Sequence, residues 1–206
     1  MLVGDPNKME TLEHHTLADA DFASCLITRR STAGGCLLMR DSSGGPTIGC
    51  LDAVSKRLRA AAPSTGHAEV CALDLTMRKI TLPAALVLQV IFGDKVHTMW
   101  VDASVVVANI QKGECSAALR YLAKFPGVNI AFISDLVHQC SGFELEKVGT
   151  ADNTADIFTK PLEYDSFSKH RNALGILSQR GMQIMMQSLG EGAGVITPVH
   201  KTSLRS

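Results

Sequence analysis

The glycine-rich turn Ser42-Ser43-Gly44-Gly45 constrains this chain more than any other single stretch. It separates two short apolar segments, Gly34–Met39 and Pro46–Leu51, and a third, His14–Asp19, precedes them. Short segments joined through Gly-rich turns read as strands in hairpin connection, so the chain opens antiparallel. A different signal follows. Pro63-Ser64-Thr65 has the residues of a helix N-terminus, and Ala68–Lys79 is rich in helix formers. Pro83 interrupts that pattern, and the apolar run Ala84–Phe92 is compatible with either a buried helix or a strand. Val96–Asp102 reads as a fourth strand and Phe143–Val148 as a fifth. Ala103–Ile110, Cys115–Lys124 and Val128–Gln139 read as helices, and Asn153–Thr159 as a helical turn. Three antiparallel strands followed by alternating helices and strands make a mixed α/β domain.

The 206 residues correspond to one domain with some chain to spare. We read residues 1–12 as a lead-in, 13–162 as the domain, 163–189 as a helical extension and 190–206 as a flexible tail. Met182, Ile184, Met185 and Leu189 read as packing residues of that extension. Apolar residues make up 46% and charged ones 19%, enough for a real core. The 20 Lys and Arg are balanced by 20 Asp and Glu, which excludes a wholly basic nucleic-acid coat, so any such binding must come from local patches. Aromatic residues are only 5%, which argues against a base-stacking platform. No two of the six cysteines, Cys25, Cys36, Cys50, Cys71, Cys115 and Cys140, lie within four residues, so neither CxxC nor zinc-finger spacing occurs. Reduced thiols in an intracellular protein are expected. The first twenty residues lack an apolar h-region, so no signal peptide is expected, and the run Ala84–Phe92 is shorter than the about 20 residues a membrane span takes.

Carboxylates stand at element ends. Asp19 ends the first strand, Glu69 sits early in the first long helix, Asp102 ends the fourth strand and Asp156 starts the last helical turn. Hard divalent cations take oxygen ligands, and magnesium uses one or two carboxylates per ion. Four acids would suit a pair of ions about 4 Å apart. Spacing alone does not select them, since a chain with 20 acids places some at element ends by chance and each reads singly as a solvated surface acid.

Seven motifs change that weighing. DADF (19–22), TRRSTAGG (28–35), GGPTI (44–48), SKR (55–57), STGHAEVCAL (64–73), VDAS (101–104) and NTADIFTKPL (153–162) occur in that order. Together they resemble the ribonuclease H domain at the C-terminal end of copia-type retrotransposon polyproteins. The resemblance runs from about residue 17 to about 176, where FSKHRNALGI (167–176) is similar to the closing segment of those polyproteins. It implies a ribonuclease H-like fold, a five-stranded mixed sheet flanked by helices. It also implies a two-metal site holding magnesium or manganese, with Asp19, Glu69, Asp102 and Asp156 as catalytic metal ligands. Asp21 falls on the same side of the strand as Asp19 and reads as a neighbour of the site. The implied activity is endonucleolytic cleavage of the RNA strand of RNA–DNA hybrids. Reverse transcriptase and integrase parts of a longer polyprotein are the implied partners, with no membrane. The implied location is cytoplasmic, in a virus-like particle, or nuclear.

The chain departs from the family pattern at Val70, at Ala103-Ser104, at Pro126-Gly127-Val128-Asn129, and in the loop Gly149-Thr150-Ala151-Asp152, which has no histidine. These positions bear on hybrid grip and turnover more than on metal binding. They support the alternative of an inactive or repurposed remnant that binds hybrid or serves as an interaction module. Lys56 and Arg57, in a polar connection, and Arg29, Arg30 and Ser31, in a turn, are candidate phosphate contacts. His67 reads as surface or core-edge, His138 as surface, and Trp100 as core.

Overall fold

The computed structural model describes residues 11–42, 49–113 and 130–176. Its sheet has strand order β3-β2-β1-β4-β5, with β1 at Leu12–Asp21, β2 at Thr32–Asp41, β3 at Gly49–Arg57, β4 at His97–Val101 and β5 at Phe143–Lys147. β1, β2 and β3 are antiparallel, whereas β4 runs parallel to β1 and β5 parallel to β4. The helices are α1 (Thr65–Thr76), α2 (Leu82–Phe92), α3 (Ser104–Lys112), α4 (Ile130–Gln139) and α5 (Tyr164–Ala173). Two short 3₁₀ turns, Thr150–Asp152 and Thr154–Phe158, lie between β5 and α5. A five-stranded mixed sheet of this order and these directions, flanked by helices, is the ribonuclease H-like fold.

Alternation along β1 separates two cores. Ala18, with Met99, Val101 and Leu145, packs under Val70, Leu73 and Met77 of the α1 segment, Val106 and Ile110 of α3 and Ile133 of α4. Leu17, Cys36 and Leu38 pack on the other face, against Ala155, Leu174, Ile157 and Phe158. Each such aliphatic side chain contributes roughly 1.5–3 kcal/mol by leaving water. The central strands β1 and β2 are nearly continuous runs of buried residues, as covering on both faces requires.

Two neighbouring glycines set how closely those covers approach. A Cβ on Gly35 would overlap the Thr76 side chain at the end of α1. A Cβ on Gly34 would come within 2.6 Å of Thr159 Cγ2 and 2.9 Å of Phe158 Cβ on the opposite face. The pair therefore admits α1 and the segment after β5 to backbone contact distance.

Ser64 caps α1, its Oγ accepting from His67 N–H at 3.2 Å, a cap worth about 0.5–2 kcal/mol. The run Ala84–Phe92 is helical, and Pro83 does not break the chain into separate elements. A π-helical turn at Met77–Thr81 joins α1 to α2, with Leu82 N–H donating to Met77 O, and Pro83 stands directly after this wider turn, where the hydrogen-bond register of the helix shifts. The resulting helix Thr65–Phe92 is 28 residues long and by length and composition could cross a membrane, unlike the short run considered alone. Its α1 half is instead buried on the sheet, and its α2 half exposes Leu86, Val87, Val90 and Ile91.

The third strand is displaced from the expected Pro46–Leu51: β3 runs Gly49–Arg57. It is an edge strand whose residues are mostly exposed, so it lacks the apolar pattern that marks a covered strand. Lys56 and Arg57 therefore belong to a strand end rather than to a loop. The expected helix Cys115–Lys124, Pro126–Asn129, most of the turn at 42–45, GGPTI, and everything after Ile176 lie outside the described residues.

Candidate metal centre

The C-terminal end of β1 places Asp19 in the middle of the sheet, between β2 and β4, with 1% of its surface exposed. Glu69 comes down from α1 and is 5% exposed. Asp102 follows the last residue of β4 and is half-buried. One carboxylate oxygen from each of these three lies within 4.8 Å of the others. Asp156, 6% exposed, stands beside them on the 3₁₀ turn. The structure thus gathers all four predicted acids at one end of the sheet, three in a single group and the fourth next to Asp19. Asp21, two residues on and partly exposed, is outside the group.

The segment NTADIFTKPL explains how Asp156 is held. Asn153 is fully buried, its Nδ2 donating to Ala18 O at 3.0 Å and its Oδ1 accepting from Ala155 N–H at 3.2 Å. That pair pins the turn to β1 one residue before Asp19. Ser55 Oγ of β3 donates to Phe158 O at 2.6 Å and fixes the other end. Thr159 Oγ1 donates to Asp19 Oδ2. Lys160 Nζ lies 3.0 Å from Asp156 Oδ1 and 3.7 Å from Asp19 Oδ2. The sequence reading missed Asn153, Thr159 and Lys160 as site residues; their signal was membership of the same motif as Asp156.

Gathering acids in a buried place raises their affinity for protons. Burial, then the charges of Asp19 and Asp102, pushes Glu69 up to about 8. Burial raises Asp102, with the charge of Asp19 adding and a Thr150 hydrogen bond opposing. Asp19 is also raised, by burial first and by the nearby Asp156, against the Thr159 hydrogen bond and Lys160. Burial alone would lower Lys160, but the Asp156, Asp19 and Asp102 carboxylates outweigh it and hold the ammonium above its usual range. Glu69 Oε2 is buried without a hydrogen-bond partner. An unpartnered carboxylate oxygen within reach of two others suits a hard divalent cation, which binds oxygens at about 2.0–2.6 Å. Asp19, Glu69 and Asp102 could hold one.

The candidate nucleic-acid contacts divide. Asp19 pairs with Gly34 and Gly34 with Ser55, so Lys56 and Arg57 lie just beyond that row, two strands or roughly 10 Å away. Both are exposed, as are Arg29 and Arg30 in the β1–β2 turn, where Arg29 takes a left-handed φ of 53°. These four share the acid end of the sheet. Ser31 does not join them. It is fully buried, its Oγ accepting from Ala23 N–H at 3.1 Å, because closing the turn satisfies a backbone donor that would otherwise be orphaned. A groove of about 280 Å³ beside Lys56 and Arg57 is also lined by Arg59, Arg78 and Lys79. His67 is buried rather than surface. Trp100 packs against the core, its Nε1–H donating to His15 Nδ1 at 2.8 Å. The loop without a histidine has one behind it: His170 of α5 is buried and lines a cavity with Asp152 and Thr154.

No family model matches the chain, and no curated protein matches it. Among solved structures it is similar to RNase H1 from the halophilic archaeon Halobacterium salinarum, at 18% identity and a TM-score of 0.45, over 71% of this chain and 94% of that one. It is also similar to the N-terminal RNase H domain of a Mycobacterium tuberculosis protein, at 19% identity and a TM-score of 0.44, over 77% and 96%. A third likeness is the protease–reverse transcriptase of prototype foamy virus, at 10% identity and a TM-score of 0.41, over 88% of this chain and 21% of that one. The strand order and directions of the sheet give this chain the ribonuclease H-like fold, with Asp19, Glu69 and Asp102 grouped where β1 ends and Asp156 beside them.

Proposed function

We propose that the protein is a divalent-metal-dependent hydrolase of the ribonuclease H type, cleaving the RNA strand of RNA–DNA hybrids and derived from a copia-type retrotransposon polyprotein. The observation that carries this is the meeting of Asp19, Glu69 and Asp102 within 4.8 Å from three separate elements. Magnesium or manganese bound there would supply an activated water and stabilise the leaving oxygen of a phosphodiester, so no side-chain nucleophile is required. Asp19, Glu69, Asp102 and Asp156 hold the charge, Thr159 orients Asp19, and Asn153 fixes the turn that carries Asp156. Arg29, Arg30, Lys56 and Arg57 line the approach and would meet duplex phosphates, with hybrid chosen by shape and by the 2′-hydroxyls of the RNA strand. The copia-type origin rests on the ordered motifs, and with it come reverse transcriptase and integrase as polyprotein partners and a virus-like particle or the nucleus as location.

A second reading, hybrid binding without cleavage, draws on Val70 and Ala103-Ser104 beside the site. Incubation of a labelled hybrid with the protein, with magnesium and with EDTA, separates the two. Metal-dependent cuts in the RNA strand, lost in Asp102→Asn, support the hydrolase. Binding with no cleavage leaves the second reading, and neither binding nor cleavage overturns both.

A further inference from the structure

Asp19 faces two places for positive charge, and they are not alike. Toward Glu69 and Asp102 it meets only oxygens, one of them the unpartnered Glu69 Oε2. Toward Asp156 it meets an ammonium, Lys160 Nζ at 3.7 Å from Asp19 Oδ2 and 3.0 Å from Asp156 Oδ1, an ion pair by distance at an oxygen that makes no hydrogen bond. That ammonium is held from below. Lys160 N–H donates to Asp156 O at 3.2 Å, Thr159 next to it is tied to Asp19, and Pro161 restricts the backbone of Lys160 itself. Two divalent ions on four acids would require Asp19 and Asp156 to share one of them. The ammonium lies between those two carboxylates. A divalent ion there would have to displace it or stand within a few ångströms of a like charge, which is strongly repulsive in a partly buried site.

We propose that Lys160 is a resident cation that takes the place of a second divalent ion, so that the folded protein holds one divalent ion, among Asp19, Glu69 and Asp102. The inference rests on the divalent-metal reading of the site and narrows it from two ions to one. Lys160 is then a positioning residue: it keeps Asp156 and Asp19 together whether or not the ion is bound. Its side chain is 31% exposed, so it can be replaced without opening the core.

The experiment is a manganese titration followed by the electron paramagnetic resonance of the free ion, on the parent, Lys160→Met, Lys160→Gln and Lys160→Arg. Thermal melting in EDTA and in manganese is measured alongside. We expect one bound ion per chain in the parent and in Lys160→Arg, where the charge is kept. Two are expected in the methionine and glutamine variants, with a lower melting point in EDTA and a larger gain on adding manganese. Two ions in the parent would overturn the inference and leave the metal reading standing. A single ion in both uncharged variants would overturn it as well, reducing Lys160 to a structural ion pair. No ion in any of the four proteins would overturn the metal reading itself.

Discussion

At its start β1 carries His14 and His15, and near its end it carries Asp19. All three are at least nine-tenths buried. At the histidine end, His14 stacks on His97 with ring centroids 5.1 Å apart and tilts against Phe92 at 5.3 Å, and His97 stacks on Phe143 at 5.7 Å. Burial, then the neighbouring His97 and Lys95, lowers His14 to about 4, so at neutral pH the ring is an uncharged aromatic among aromatics. At the acid end only part of the charge escapes in this way near neutrality. Glu69 at about 8 holds its proton, and what remains of the charge is met by Lys160. The difference lies in what each end lacks. Buried imidazoles relieve their cost by losing a proton, whereas gathered carboxylates relieve theirs by keeping a proton, as Glu69 does, or by gaining another cation. One end of the strand is packing, and the other is poised to bind.

The largest expected effect breaks the acid end. Asp19→Asn leaves the sheet intact but removes the anion central to the group, and metal-dependent cleavage of a labelled hybrid should fall at least about a thousandfold, since several kcal/mol of charge stabilisation are lost. Cleavage within tenfold of the parent would remove Asp19 from the reaction.

Next come two pH profiles of opposite sign, each measured as chemical unfolding without metal. Glu69 titrates at about 8 when folded and near 4.5 when unfolded, so between these values the folded state binds more protons and stability falls as pH rises. His14 titrates at about 4 folded and near 6.5 unfolded, so there the unfolded state binds more and stability falls as pH drops. Burial lowers His15, His67, His97 and His170 in the same sense. Above pH 6.5 the histidine contributions fade within about a unit, and they cancel between the parent and Glu69→Gln across pH 6.5 to 8. In that window the parent should lose stability relative to Glu69→Gln, by an amount on the order of a kcal/mol or two. Below pH 6.5, His14→Phe should lose less stability than the parent. Saturating magnesium should flatten the upper limb and leave the lower one unchanged.

A smaller effect tests what links the acid end to its cover. Gly34→Ala puts a methyl against Thr159 and Phe158, an overpacking that costs about 1–3 kcal/mol. At roughly 2–4 °C for each kcal/mol the drop is readable by thermal melting, and it should be accompanied by weaker manganese binding because Thr159 is pushed away from Asp19. A drop in stability with metal affinity unchanged would show that the cover and the acids are independent. The smallest effect belongs to the exposed cations. Lys56→Ala and Arg57→Ala should each weaken hybrid binding a few-fold and lower the salt dependence by about one counterion. The same substitutions at Lys79, farther along the groove, provide the contrast.

Much of this was legible in the residues. The order of elements was readable because the covered strands are apolar and the turns carry glycine, and β1, β2, β4 and β5 lie where patterning placed them, within a few residues. The four acids were found through motif order, not through spacing. β3 escaped because an exposed edge strand needs no apolar alternation, and the helix through Pro83 escaped because a π turn cancels the proline's missing donor. Ser31 had the composition of a phosphate contact, but a hydroxyl's role depends on whether a nearby backbone N–H needs it.

By itself the sequence determined which residues are apolar, where chain reversals are cheap, and which acids stand at the ends of elements, since these follow from local chemistry. Only the tertiary structure decided that Asp19, Glu69 and Asp102 share one place and that Lys160 fills the space between Asp19 and Asp156. It also decided that Gly34 lies where Thr159 must approach. Those facts depend on which residues become neighbours across β1, α1, β4 and the segment after β5, separated by up to about 140 positions in the chain. Charges so far apart in sequence do not feel one another until the sheet and its covers have brought them within a few ångströms.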